Sequence, residues 1–123
     1  MAVEVVDASA VAAILFDEPE SERVVDRLGD GRLVAPALLD FELASICLKK
    51  TRLHPERRDR YRLALALRWH MPIEILPVDH REVVGLAETS GLSAYDASYL
   101  WLARRLNGGL VTLDRRLAAT AGS

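Results

Sequence analysis

The sequence predicts an α/β fold in which helices flank a short parallel sheet. Short runs rich in Val, Leu and Ile recur at 3–6, 32–35, 73–76 and 110–113, and stretches with helical spacing of apolar residues separate them. Strands that alternate with helical patterns indicate parallel pairing with helical crossovers. Half of the residues are apolar but only 6% are aromatic, so Leu, Val, Ile and Ala must fill the core, as they do in sheets buried on both faces. A length of 123 residues fits one compact unit, and residues 1–123 are expected to form a single domain.

Val3, Val5 and Val6 form the first strand, and Asp7 follows it directly. Ser9 to Phe16 reads as a short helix that stops before Pro19. Ser21 to Leu28 reads as a second, with Val24, Val25 and Leu28 at helical spacing and the glycines at 29 and 31 ending it. Arg32 to Ala35 is the second strand. Pro36 suits a helix start, where its missing N–H would be unpaired in any case. The helix from Ala37 to about Lys50 is apolar on nearly every face, which predicts burial on several sides, with Glu42 in its middle. Pro55 opens a further helix to about His70. Ile73 to Leu76 is the third strand, and a helix from about Asp79 to Thr89 follows. Gly91 breaks the chain, Ser93 caps a helix through Leu106, and Asn107-Gly108-Gly109 ends it. Leu110 to Leu113 is the fourth strand, with Asp114 at its exit before a final helix.

The net charge of −2 does not advertise a nucleic-acid partner, yet the charges are unevenly spread. Residues 49–70 hold Lys49, Lys50, Arg52, Arg57, Arg58, Arg60, Arg62 and Arg68 against only Glu56 and Asp59. Such a run is most often a solvated helix face. Cys47 is the only cysteine, which excludes an intramolecular disulfide and fits a reducing compartment. Its neighbours Ile46 and Leu48 mark it as a small buried thiol. The apolar N-terminus is interrupted by Glu4 and Asp7 and lacks a basic leader, and no apolar run is long enough to span a bilayer. A soluble, cytoplasmic protein without membrane contact is expected.

Four acids stand out, and three have a purely structural explanation. Asp7 and Asp114 each precede a helix and suit its N-cap. Asp96 lies three residues after Ser93, the spacing of a capping box. Glu42 is different: among Leu38, Leu39, Phe41, Leu43, Ala44 and Ile46, an unpaired carboxylate costs several kcal/mol, on the order of the penalty for one desolvated ion. It needs a cationic partner, water or a proton. Carboxylates about 4 Å apart repel by roughly 4 kcal/mol at an effective dielectric of ~20, more than helix N-termini offset. A cluster of four therefore stays partly protonated or binds a divalent cation, and a site without His or Cys suits a hard ion such as Mg²⁺ or Mn²⁺. Ser9 either caps a helix or orients a carboxylate or water beside Asp7. Thr112 reads first as a strand residue, with the same orienting role beside Asp114 as the alternative.

These acids sit in segments that resemble a known family. Val-Val-Asp-Ala-Ser-Ala at 5–10, Phe-Glu-Leu-Ala-Ser at 41–45, Leu-Ser-Ala-Tyr-Asp-Ala-Ser-Tyr at 92–99 and Leu-Val-Thr-Leu-Asp at 110–114 resemble, in order and spacing, the motifs of PIN domains, specifically the VapC-type toxins. The match covers nearly the whole chain. It implies an α/β/α domain with a sheet of about four or five strands, the fifth being short or missing because the chain ends soon after the last helix. It also implies a Mg²⁺- or Mn²⁺-dependent endoribonuclease that leaves a 5′-phosphate and a 3′-hydroxyl, with Asp7, Glu42, Asp96 and Asp114 as the metal-binding and catalytic acids. A further acid found after the last of these in some relatives is absent here, where Arg115, Arg116 and Leu117 follow. Arg115 and Arg116 beside the site, and Lys49 and Lys50 at the head of the basic stretch, are candidate RNA-backbone contacts. Trp69, Tyr95, Tyr99 and Trp101, at helical spacing, read as core or interface residues sooner than as base-stacking ones. The resemblance further implies a homodimer and a cognate VapB-type antitoxin that covers an apolar groove and places an Arg among the acids. The helices around 9–16 and 37–48 are candidates for that groove, or ordinary core.

Two other enzyme or signalling folds begin similarly. A haloacid-dehalogenase phosphatase needs a second Asp where Ser9 stands, and a phospho-acceptor receiver needs a Lys where Asp114 stands. Neither pattern is met. The remaining alternatives are a catalytically silent PIN-fold binding module whose acids only cap helices, and a PIN nuclease of general RNA processing.

Overall fold

A computed structural model describes residues 2–122 and has the expected α/β architecture. Strands β1 (Val3–Val6), β2 (Arg32–Ala35), β3 (Ile73–Ile75) and β4 (Gly109–Val111) form one parallel sheet in the order β3-β2-β1-β4. Val5 stands between Val34 of β2 and Leu110 of β4. Neighbouring residues on a strand point to opposite faces. Val6, Ala35 and Val111 accordingly enter one apolar cluster, whereas Val5 and Val34 enter the other. Both faces are buried, which is why the strands read as continuous apolar runs.

The Val6 side is covered by α1 (Ala8–Leu15), α2 (Ser21–Leu28) and α3 (Leu38–Leu53), with Leu65 of α4 (Arg58–Ala66) at its edge. The Val5 side is covered by α5 (His80–Ser90), α6 (Ala94–Arg105) and α7 (Arg115–Ala121). The turn into β4 is tight: a Cβ on Gly108 would stand 2.6 Å from the Val3 carbonyl oxygen, so only glycine lets the chain pass β1 there. Asn107 just before it takes φ +53°, a conformation asparagine tolerates better than most residues.

The structure corrects three expectations. Helix α3 is not buried all round: Leu39, Leu43 and Cys47 form one inward stripe, while Phe41 (77% exposed) and Leu48 face out. A helix lying on one face of a sheet needs only that stripe, and the other apolar residues remain at the surface. Residues 55–70 are not one helix; 3₁₀ turns at Pro55–Arg57 and Leu67–His70 bracket α4, which has no buried residue. This segment packs at the periphery, so tertiary contacts do not enforce α geometry at its ends. The fourth strand runs Gly109–Val111, leaving 112–114 as its exit, and α7 is the last element, with no fifth strand among the described residues. Cys47 is buried as a free thiol, and no helix among the described residues is long and apolar enough to cross a membrane.

Candidate active site

The strand order decides where a ligand fits. From β1 the chain steps outward to β2 and β3, then returns to place β4 on the other side of β1. In open α/β sheets the crevice outside the carboxyl ends of the strands, at such a reversal, is the usual ligand site. Asp7 leaves β1 there, and Thr112, Leu113 and Asp114 leave β4 beside it; the Asp7 N–H donates to the Val111 carbonyl at 3.2 Å.

Asp7 is the N-cap of α1, its Oδ1 accepting from the Ala10 N–H at 3.0 Å, so the capping reading holds. Capping is only part of its environment. The Ser9 hydroxyl donates to Oδ1 at 2.7 Å and the Thr112 hydroxyl donates to Oδ2. Each hydroxyl is itself held by the backbone leaving β4: Ser9 Oγ accepts from the Leu113 N–H at 2.9 Å, and Thr112 Oγ1 from the Asp114 N–H at 3.0 Å. Thr112 is thus not merely a strand residue; it lies just past β4 and ties Asp7 to Asp114. Asp7 is buried, and desolvation raises its pKa despite these hydrogen bonds, with the Asp114 charge adding to the rise.

Glu42, on the second turn of α3, is half-buried rather than deep in the core. Its partner is not a cation but the Tyr99 hydroxyl, which donates to Oε1 at 2.5 Å. Burial pushes the Glu42 carboxyl up, the charges of Asp96 and Asp7 push it further, and the tyrosine bond opposes them. Tyr99 has its ring in the core, as its spacing predicted, and its own pKa is pushed far up by burial and by Glu42. Its polar role was missed in the sequence. Two signals point to it: a buried tyrosine hydroxyl needs a partner, and Tyr99 shares a face of α6 with Asp96 one turn earlier.

Asp96 half-fulfils the capping box. Its N–H donates to Ser93 Oγ at 3.1 Å, but its carboxylate accepts no hydrogen bond among the described residues. Desolvation raises its pKa first, the Asp114 and Asp7 charges add to this, and the Arg116 charge opposes them. Asp114 is exposed and caps α7 through a 2.9 Å bond from the Leu117 N–H. The four acids therefore share one end of the sheet and act on one another electrostatically.

Among the flanking cations, Arg116 donates to the Gly91 carbonyl at 2.5 Å while its charge reaches Asp96. Lys49 is exposed. Lys50 is engaged by Glu18 at 2.9 Å and lies over the Phe16 ring, and Arg68 is buried against Asp40 at 2.9 Å. Part of the basic stretch therefore serves the fold. As a cation site, the acids offer only hard oxygen donors in surroundings that raise the pKa of three of them, and this suits Mg²⁺ or Mn²⁺. They are not drawn into a cage: among the described residues no three His, Cys, Asp or Glu side chains stand close enough to enclose a metal.

The PIN domain family model matches residues 5–123. The chain belongs to the PIN domain family. Within it, the chain is of the VapC type: it is 39% identical over 121 residues to Ribonuclease VapC9 of Mycobacterium tuberculosis, covering 94% of this chain and 89% of the relative. It is 33% identical over 123 residues to Ribonuclease VapC3 of Pyrobaculum aerophilum, covering 93% and 91%. The crystal structure of PAE2754 from Pyrobaculum aerophilum superposes with a TM-score of 0.79 at 28% identity, over 97% of this chain and 84% of that one. The PIN fold and the VapC-type resemblance read from the four motifs are both borne out.

Proposed function

We propose that this PIN domain, spanning 1–123, is a metal-dependent endoribonuclease and the toxin of a VapBC-type module, with Asp7, Glu42, Asp96 and Asp114 as its active site. The observation that carries this reading is that β1 and β4 deliver Asp7 and Asp114 side by side, joined through Thr112, where the strand order reverses, with Asp96 and Glu42 close enough for charge to act between them and Asp7. The names of the VapC relatives point to the same activity. Asp7 and Asp96 would hold Mg²⁺, or Mn²⁺ as a substitute, with Glu42 and Asp114 completing the set. When bound, the ion supplies Lewis acidity, lowering the pKa of attacking water and neutralising charge on the phosphodiester. The chain's own part is positional. Ser9 and Thr112 fix the Asp7 carboxylate, the Tyr99 hydroxyl fixes Glu42, and Asp96 stays free of competing hydrogen bonds. Arg116 places a positive charge beside Asp96 and offsets repulsion of the polyanionic substrate.

The rival reading, a silent module whose acids only cap helices, accounts for Asp7 and Asp114 but not for Asp96 or Glu42, whose carboxylates cap nothing. For the partners, α1 is ordinary core, its residues Ala10, Val11, Ala12 and Ala13 all buried, so it offers no groove. Phe41 and Leu48 on the outward face of α3 remain available to a VapB-type antitoxin. Val84 and Tyr95 at the rim of an apolar cavity of about 370 Å³ suit a homodimer contact. A cytoplasmic location accords with the RNA substrate and the free Cys47.

The test is cleavage of RNA with Mg²⁺, Mn²⁺ or EDTA by the parent, Asp7→Asn and Asp96→Asn. Metal-dependent cleavage by the parent alone is expected. Equal cleavage by parent and variants would remove the proposed site.

A further inference from the structure

Besides Arg115 and Arg116 beside the site, the sequence offered Lys49, Lys50 and the basic stretch 49–70 as a polyanion track; the structure offers another path, which starts at the site and takes in Arg115. A cavity of about 310 Å³ opens beside Asp114, lined by Arg23 and Arg27 of α2 and Arg115 of α7, over a floor that includes Thr112. A second cavity of about 360 Å³ continues from it, sharing Arg27 and Ala118 and adding Arg104 and Asn107. Together they make a groove that runs away from the acids along α7.

The groove carries four arginines and, among its lining residues, a single carboxylate, Asp114 at the end next to the other acids. Arg23 and Arg27 stand one helical turn apart, and like charges at this spacing destabilise a helix. Glu22 and Asp26 form the neighbouring stripe of α2 and do not line either cavity. None of Arg23, Arg27, Arg104 and Arg115 forms an ion pair among the described residues; Arg27 reaches only the Leu110 carbonyl, at 3.4 Å. Arginines left unpaired and converging on a concave surface suit phosphate oxygens, which their planar forks bind well.

We infer that the RNA strand leaves the active site through this groove, with Arg23, Arg27, Arg104 and Arg115 contacting consecutive backbone phosphates. The inference rests on the nuclease reading, because the strand is taken to enter at the acids. It keeps Arg115 from the sequence reading and moves the rest of the phosphate track from α3 and α4 to α2 and α6. Contacts of this kind fix the register of the strand without reading its sequence.

The test is binding of a short fluorescent single-stranded RNA of mixed sequence in the Asp96→Asn background, titrated over a range of salt, with cleavage by the otherwise parental protein measured alongside. The variants are Arg23→Ala/Arg27→Ala/Arg115→Ala, Arg23→Ala/Arg115→Ala (which spares the Arg27 bond to Leu110) and, for the basic stretch, Lys49→Ala/Arg57→Ala/Arg62→Ala. Single strands lose about 0.7 in the slope of log K against log salt per phosphate contact, so the double variant should lower that slope by about 1.4 and the triple by about 2. In cleavage assays the groove variants should raise KM more than they lower kcat, and Arg→Lys at the same positions should restore much of the binding. The basic-stretch variant should change the slope less. If both groove variants bind with the parental slope while the parent cleaves RNA, the track is wrong and the nuclease reading stands. If the parent neither binds nor cleaves RNA, both fall together.

Discussion

The two sides of the acidic site are built differently. On the β1–β4 side, Asp7 is buried and fastened by the Ala10 N–H, the Ser9 hydroxyl and the Thr112 hydroxyl, and both hydroxyls are anchored to the chain leaving β4. On the α3–α6 side, Glu42 has one tyrosine hydroxyl, and the Asp96 carboxylate has no hydrogen bond among the described residues. The first side holds the fold and the site at once; on the second, the Asp96 carboxylate serves the site alone. Substitutions on the two sides should therefore separate loss of stability from loss of activity.

The largest expected effect is on activity alone. Asp96→Asn removes a repelled charge that makes no hydrogen bond, so it should cut RNA cleavage by about 100-fold or more while the melting temperature holds or rises. Paired cleavage and thermal-melting measurements check this, and a clear drop in melting temperature would erase the contrast between the two sides. Thr112→Val comes next and should damage both properties. It strips a donor from buried Asp7 and an acceptor from the Asp114 N–H, which should cost about 1–3 kcal/mol in denaturant unfolding and about 10- to 100-fold in cleavage.

Tyr99→Phe should cost about 1 kcal/mol of stability, and its sharper readout is the pH profile. The tyrosine bond opposes the rise of the Glu42 pKa, so without it Glu42 holds its proton to higher pH, and the acid limb of the kcat/KM profile should move upward. An unmoved limb would detach Tyr99 from Glu42. The smallest effect belongs to Lys50→Ala, which breaks a partly exposed pair with Glu18; less than about 1 kcal/mol should be lost, by chemical denaturation.

The reasons why some of this was legible in the sequence are local. Asp7, Asp96 and Asp114 announce themselves because each follows a strand or a cap, so the spacing in the sequence already fixes where they stand. The strands of a doubly covered sheet, such as Val5 and Val6 with opposite faces both buried, leave an apolar run that needs no tertiary knowledge to find. What was hidden depends on contacts between distant segments. The bond from Tyr99 to Glu42 joins α6 to α3, and the one from Thr112 to Asp7 joins the two ends of the chain. Helix α3 misled for a related reason: its apolar residues do not say which stripe faces the sheet, and Phe41 turned out to be exposed. Arg23 and Arg27 gave no signal in the sequence, because only the fold brings Arg115 of α7 beside α2.

The central claim is that these carboxylates burden the folded chain until a cation joins them, and thermal melting tests it most directly. The sign follows from the raised pKa values of Asp7, Glu42 and Asp96. A carboxyl whose folded pKa exceeds its unfolded one binds more protons when folded, so stability is fully present below the ordinary carboxylate pKa of about 4 and falls as pH rises through the raised values. In EDTA the parent's melting temperature should therefore fall relative to that of Asp96→Asn as pH rises above about 4. Added Mg²⁺ or Mn²⁺ should raise it at neutral pH in a saturable way, with the gain shrinking toward pH 4 and largely absent in Asp96→Asn. A melting temperature indifferent to the metal, or raised equally in parent and variant, would contradict the account.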